Sequence, residues 1–244
     1  MAAAEEVKAI LREAFGDSSS ESDSESSADC NRISDWSDEI ARPLSIFGDS
    51  HTWEQITEIN GLWICSDFLS PDQQSSLLSA LEQDGYVGDA SHNQGMRFGD
   101  LPRWAVELSR SIRENIVVSE NKEQRLFPAE VLWREPLFNQ LIVNVYQPGE
   151  GIAAHVDLMR FEDGIAIVSL ESACVMHFTQ GSSSVPLLLL PGSLVLMWGE
   201  ARYLWKHEIN RKPGFQIWEA QEIHQKRRTS ITLRSLSPTP QPLA

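Results

Sequence analysis

Residues 144–164 read NVYQPGEGIAAHVDLMRFEDG, and within them the imidazole of His155 precedes the carboxylate of Asp157 by two positions. On an extended backbone, residues two apart project to the same side, so this pair can converge on one ion at the end of a strand. Imidazole and carboxylate together suit a first-row divalent metal. A second imidazole from a facing strand would complete a two-His, one-carboxylate set that leaves positions open, the donor set of non-haem ferrous iron. Three later histidines are available: His177, His207 and His224. His207, 50 residues beyond Asp157 and just past the strand and turn of SLVLMWGEARYLWK, is the preferred third ligand. His177 alternates with apolar residues in CVMHFTQ and reads as a strand-face histidine, while His224 sits in a polar loop before a basic cluster.

A rigid frame has to hold those groups together. GLWICSDFLSPDQQSSLLSALEQ predicts a strand, a turn at Ser70 and Pro71, and a helix. In LPRWAVELSRSIREN, Trp104, Leu108 and Ile112 recur every four residues and predict a second helix. The texture then changes. QLIVNVYQ, IAIVSLES, CVMHFTQ, VPLLLLP, SLVLMWG and TSITLRSL are short, rich in Val, Ile, Leu and Thr, and separated by turn residues such as Pro191 and Gly192. Two helices followed by many short strands predict a mainly β, α+β domain: a sandwich or jelly roll with the N-terminal helices packed outside.

The chain has 244 residues, 41% of them hydrophobic, enough for one good-sized core with appendages. A domain over 49–237 is expected, preceded by an appendage over 1–48 and followed by disordered residues 238–244. In the appendage, EEVKAILREAF sets Val7, Ile10, Leu11 and Phe15 at helical spacing. The serine- and acid-rich stretch after it holds too little apolar surface to offset its ordering entropy and is expected to be disordered, a segment suited to a protein partner. The start lacks an apolar core of signal-peptide length, and the longest apolar run is broken by Pro191, Gly192 and Ser193. Hence the expectation of a soluble protein of the nucleus or cytoplasm, monomeric and off the membrane. Cys30, Cys65 and Cys174 include no CxxC pair, which argues against a disulfide framework or a cysteine zinc site.

Net charge is −15, and the first 40 residues carry −8 of it. The remainder is still acidic, which speaks against indiscriminate binding of nucleic acid. Residues 202–234 nevertheless hold eight Lys or Arg against three acids. A basic face on an acidic body and ordinary solvated charge both fit these counts; Lys226 and Arg227 are read as solvent-exposed.

NVYQPGEGIAAHVD, GEARYLWKH and RRTSITLR, taken together over roughly residues 59–237, resemble the AlkB-type branch of the iron(II)- and 2-oxoglutarate-dependent dioxygenases. The resemblance implies a double-stranded β-helix, with His155, Asp157 and His207 as iron ligands and catalytic centre. It also implies a cosubstrate pocket of Asn144, Tyr146, Arg228, Ser230 and Arg234. Physical chemistry supports that pocket independently: a buried distal carboxylate of 2-oxoglutarate needs a cation, and an arginine fork is its natural partner. Arg228 is assigned to that carboxylate, with Tyr146 donating a second hydrogen bond; Arg234 and Asn144 are placed near the metal-proximal carboxylate, and Ser230 shares the face of Arg228. NQGMRFGDLPRW resembles the substrate lid. Met96, Arg97, Phe98, Met159 and Arg160 are accordingly expected on the substrate side, and Trp198 either there or in the core.

The implied activity consumes dioxygen and 2-oxoglutarate, releases succinate and carbon dioxide, and demethylates or hydroxylates a modified base. The acidic body favours single-stranded RNA or a tRNA loop over duplex DNA. HVDLMRFEDGIAIVSL and GEARYLWKH look most similar to the catalytic domain of the member that acts on a modified wobble uridine of tRNA, although the RNA-recognition and methyltransferase domains of that member have no counterpart here. The bacterial member carries a second acid two places after the HxD aspartate, whereas this chain has Met159. Base selectivity is therefore not carried over. A protein or small-molecule substrate is the alternative, and a non-catalytic binding module is disfavoured because all the ligands and both arginines are present.

Overall fold

The computed structural model describes residues 52–88, 93–120 and 125–237. The amphipathic helix and acidic tail expected over 1–48, and the residues expected to be loose over 238–244, lie outside the described residues.

Helix α1 (Pro71–Gln83) starts where the sequence supplies a complete cap. The Ser70 hydroxyl accepts from the Gln73 backbone N–H at 3.3 Å, and the Gln73 side chain accepts from the Ser70 backbone N–H at 2.6 Å. Helix α2 (Arg103–Ser119) buries Leu108, Ile112 and Ile116, one turn apart. Two single-turn helices follow, α3 (Ala129–Leu132) and α4 (Glu200–Tyr203).

Most strands form two antiparallel sheets. The larger runs in the order β1 (Trp53–Gln55), β2 (Leu62–Cys65), β9 (Leu194–Met197), β6 (Ile165–Leu170), β13 (Arg228–Arg234), β4 (Gln140–Tyr146) and β3 (Gln94–Phe98). The smaller runs β5 (Ile152–His155), β10 (Lys206–Ile209), β7 (Cys174–Gln180) and β8 (Ser183–Leu189). A separate hairpin pairs β11 (Ile217–Trp218) with β12 (Gln221–Glu222).

Strand alternation gives the large sheet two distinct faces. Trp63, Cys65, Leu141, Val143, Val145, Ala166, Val168, Leu170, Ile231 and Leu233 join α1 and α2 in one buried cluster. Leu62, Ile64, Ile165, Ile167, Val195 and Met197 belong to the second cluster, with Cys174, Met176, Phe178, Leu187 and Leu189 from the small sheet. Two sheets packed face to face, with helices on the outside of one, make the fold mainly β, a double-stranded β-helix of the jelly-roll class. The inter-sheet filling is aliphatic only along β2, β9 and β6. On β13 and β4 the same face carries Gln140, Asn144, Tyr146, Arg228, Ser230 and Arg234, opening a polar compartment.

Candidate active site

The glycine-rich turn explains how β5 reaches its neighbour. Gly149 adopts φ 91°, which favours glycine, and a Cβ on Gly151 would stand 2.0 Å from the Ile209 carbonyl oxygen. Without a side chain at position 151, β5 can lie directly on β10, and His155 becomes the paired neighbour of His207. The register slips by one residue between that pair and Ile152–Ile209, a bulge of the kind that re-aims a side chain. Asp157 follows two residues past the end of β5.

His155, Asp157 and His207 each offer a ligand atom, and these atoms all lie within 4.8 Å of one another. The two imidazole centroids are 4.3 Å apart. Nε2 of His207 is 3.7 Å from Oδ2 of Asp157, too long for a hydrogen bond and wide enough for an ion between them. Nδ1 of His155 lies 2.8 Å from the Ala153 carbonyl, so its proton occupies that nitrogen and leaves Nε2 as a donor of its lone pair.

The electrostatics favour the ligand forms of the buried pair. Burial pushes the His207 imidazole down to about 4, with the neighbouring His155 acting in the same direction, so its lone pair is available at neutral pH. Burial would raise the Asp157 carboxyl, but the charges of Arg234, His207 and His155 outweigh it and hold the group at about 2. Arg234 donates from Nη1 to Oδ1 of Asp157 and from Nε to Oε1 of Gln140 at 2.7 Å. Its guanidinium also lies 3.9 Å from the centroid of the Phe161 ring.

On β13 and β4, Arg228 is the paired neighbour of Tyr146, and Ser230 of Asn144. Arg228 is 1% exposed, and Nε donates to the Ser169 hydroxyl at 2.9 Å. Nη1 and Nη2 are buried without a hydrogen-bond partner among the described residues. Two unsatisfied charged donors are costly to bury, and they match the two oxygens of a carboxylate. Tyr146 is held protonated, its phenol raised by burial, and so remains a hydrogen-bond donor. Asn144 accepts from Nε2 of Gln94 at 2.6 Å, which ties the edge strand β3 to the compartment.

These features agree with what the chain is similar to. Residues 61–234 match the family model described as 2OG-Fe(II) oxygenase superfamily. The chain belongs to that superfamily. It is an AlkB-like iron- and 2-oxoglutarate-dependent dioxygenase, with ferrous iron as its metal and 2-oxoglutarate and dioxygen as its cosubstrates. It is 29% identical over 210 residues to tRNA (carboxymethyluridine(34)-5-O)-methyltransferase alkbh8 of Xenopus tropicalis, covering 74% of this chain and 32% of that protein. Identity to the Alkylated DNA repair protein ALKBH8 homolog of Arabidopsis thaliana is 28%, over 73% of this chain and 59% of that protein. Alpha-ketoglutarate-dependent dioxygenase alkB homolog 7, mitochondrial, of Bos taurus is 33% identical, over 58% of this chain and 61% of that protein. The dioxygenase thus spans about a third of the length of the first of these relatives. A solved structure, that of OsALKBH1, aligns with TM-score 0.49 and 16% identity over 72% of this chain and 98% of that one.

The remaining residues expected in the dioxygenase site divide by strand parity. Gln94, Met96 and Phe98 pair with Asn144, Ile142 and Gln140 and share their face. Arg97 falls on the opposite face with Gly95, against the expectation that it lines the substrate side; its Nε donates to the Asp100 carbonyl at 3.1 Å. Met159 is 58% exposed in the turn after Asp157, and the carbonyl of its neighbour Arg160 accepts from the Ser237 N–H. Trp198 packs on the helix-side cluster and donates to the Leu126 carbonyl at 2.9 Å, so it belongs to the core. His177 lies on β7 out of step with the inward-facing Met176 and Phe178, its ring edge-on to Phe215, and His224 is exposed. Neither joins the cluster with Asp157.

Sequence reasoning missed Ser169, Gln140, Gln94 and Arg202. Ser169 and Gln140 orient the two arginines, and their inward parity on strands beside β13 is a signal the sequence did contain. Arg202 had no such signal, because it bonds only backbone carbonyls more than 40 positions away.

Proposed function

We propose that this dioxygenase oxidatively demethylates or hydroxylates a modified base in RNA, single-stranded or in a tRNA loop, rather than in duplex DNA. The observation that carries the cosubstrate assignment is the buried Arg228 fork, with two unpartnered nitrogens beside the Tyr146 phenol. His155, Asp157 and His207 hold the iron. Arg228 takes the distal carboxylate of 2-oxoglutarate, and Tyr146 donates a second hydrogen bond to it. Ser230 lines the same wall. Asn144 and Arg234 sit toward the metal-proximal carboxylate, and Arg234 also fixes the orientation of Asp157.

When bound, iron and 2-oxoglutarate use dioxygen to oxidise a nearby C–H bond, with release of succinate and carbon dioxide. Met96 and Phe98, on the compartment face of β3, and the exposed Met159 flank the target and keep water from it. A flat base presents a stacking face to such side chains, and an unpaired base reaches them without the cost of extrusion from a duplex. The relatives whose names specify a tRNA uridine support RNA as the substrate class. A protein or small-molecule substrate is the second reading, favoured by the net charge of −15, which opposes binding to a polyanion.

The test is mass spectrometry of modified nucleosides after total RNA is incubated with the protein, ferrous iron and 2-oxoglutarate, alongside succinate release on alkylated RNA, alkylated DNA and peptides. Loss or hydroxylation of one nucleoside, with matching succinate, is expected. Succinate release on peptides with every nucleoside unchanged would overturn the RNA reading in favour of the second.

A further inference from the structure

Arg202, on α4, is 1% exposed, yet among the described residues no carboxylate accepts a hydrogen bond from it. The two terminal nitrogens of its guanidinium are spent on a single short segment, while Nε is buried with no hydrogen-bond partner among the described residues. Nη1 donates to the Asp157 carbonyl at 2.9 Å, and Nη2 donates to the Leu158 carbonyl at 2.7 Å and the Phe161 carbonyl at 2.9 Å. The Tyr203 ring lies 4.7 Å from the guanidinium carbon. The charges of Asp157 and Asp163 offset part of its desolvation, yet a buried cation whose hydrogen bonds go to neutral carbonyls is a poor way to stabilise a fold, since an apolar side chain of similar volume fills such space without the desolvation cost. What the fork does supply is geometry: three carbonyls of residues 157–161 are pinned to one rigid plane.

That segment begins with the carboxylate of the metal cluster and contains Met159 and Arg160. Arg202 is also four residues before the start of β10, the strand that carries His207. One side chain therefore links the backbone of Asp157, the helix leading into His207, and the turn expected to face the substrate.

We infer that Arg202 is a positioning residue that sets the Asp157 carboxylate for metal and fixes the Met159–Arg160 turn, so that oxidation falls on substrate rather than running idle. The inference rests on Asp157 as a ligand. It makes Arg202 act on metal affinity and on coupling, without touching the cosubstrate fork of Arg228. A lysine at the same place keeps the charge but carries its three N–H donors on one nitrogen in a tetrahedral array, which does not reproduce the planar fork that spans three carbonyls.

The experiment compares the full chain with Arg202→Lys, Arg202→Gln and His155→Ala. Manganese(II) affinity is read by electron paramagnetic resonance, which needs no turnover, and the ratio of succinate to oxidised product by mass spectrometry. Folding is checked by circular dichroism. The expected result is folded Arg202 variants with manganese binding weakened about 10-fold or more, a raised succinate-to-product ratio, and an unchanged KM for 2-oxoglutarate. Unchanged metal affinity and ratio in a folded variant overturn the inference. Loss of folding in both variants overturns it as well, because Arg202 is then a scaffold residue. If His155→Ala binds manganese like the parent chain, the metal assignment itself has failed; if it loses binding while the Arg202 variants keep theirs, the inference alone has.

Discussion

Along β13, Ile231 and Leu233 project into the cluster shared with α1 and α2, while Arg228, Ser230 and Arg234 project toward the small sheet. The same division runs along β4, where Leu141, Val143 and Val145 face the helices and Gln140, Asn144 and Tyr146 face the compartment. Neighbouring residues on one backbone thus serve opposite ends. Odd-numbered positions of these strands, except Thr229, pack apolar surface, and even-numbered ones, with Ile142 and Thr232 as the apolar or neutral interruptions, carry chemistry. The two roles are separable because the pleat sends adjacent side chains 180° apart.

That separation is open to direct attack. On the compartment side, Asp157→Ala is expected to reduce iron-dependent succinate release to background while circular dichroism and the melting temperature stay close to those of the parent; retained turnover would show that the metal lies elsewhere. Arg228→Ala removes one partner of a buried charge pair, at a cost of about 2–5 kcal/mol in 2-oxoglutarate binding. It should appear as a steep rise in the KM for that cosubstrate with manganese affinity preserved. Leu233→Ala, one residue before Arg234 but facing the helices, should lower unfolding free energy in urea by about 2–5 kcal/mol with the KM for 2-oxoglutarate unaltered. A shift in that KM would mean the two faces are coupled.

The mildest effect concerns Cys65, on the helix-facing side of β2. Burial, aided by the nearby Asp67, pushes its thiol up from 9.0 to about 12. A raised acid favours the folded state while the thiol is protonated, so its contribution is complete below pH 9 and lost as pH climbs from 9 toward 12. Cys65→Ala should flatten that part of the alkaline decline in stability measured by urea titration. An identical decline in both proteins would show that the thiol contributes nothing to it.

How far these faces could be read in advance depended on length and periodicity. QLIVNVYQ and TSITLRSL are long enough to show alternation, and they became β4 and β13. LPRWAVELSRSIREN showed its apolar spacing and became α2. By contrast, α3 and α4 have four residues each and β11 and β12 two each, too short for any period to emerge. In the site, His155 and Asp157 were visible because two functional types stand two apart, and His207 because few histidines follow them. Which face of β3 carried Arg97 required the register with β4. The three carbonyls that hold Arg202 are invisible to residue type altogether, since every residue has one.

The place of β13 in the large sheet sets an order of assembly. It lies between β6 and β4, both of which leave the ribosome well before it. Those two strands cannot close on each other without excluding it, so each must keep one row of amide and carbonyl groups free until β13 arrives. The arginines it delivers come with the strand that seals the gap. A nascent chain stalled before residue 228 therefore presents two sticky edges to other chains and lacks Arg228 and Arg234. Competence for oxidation and protection from misassembly are acquired in the same late folding event.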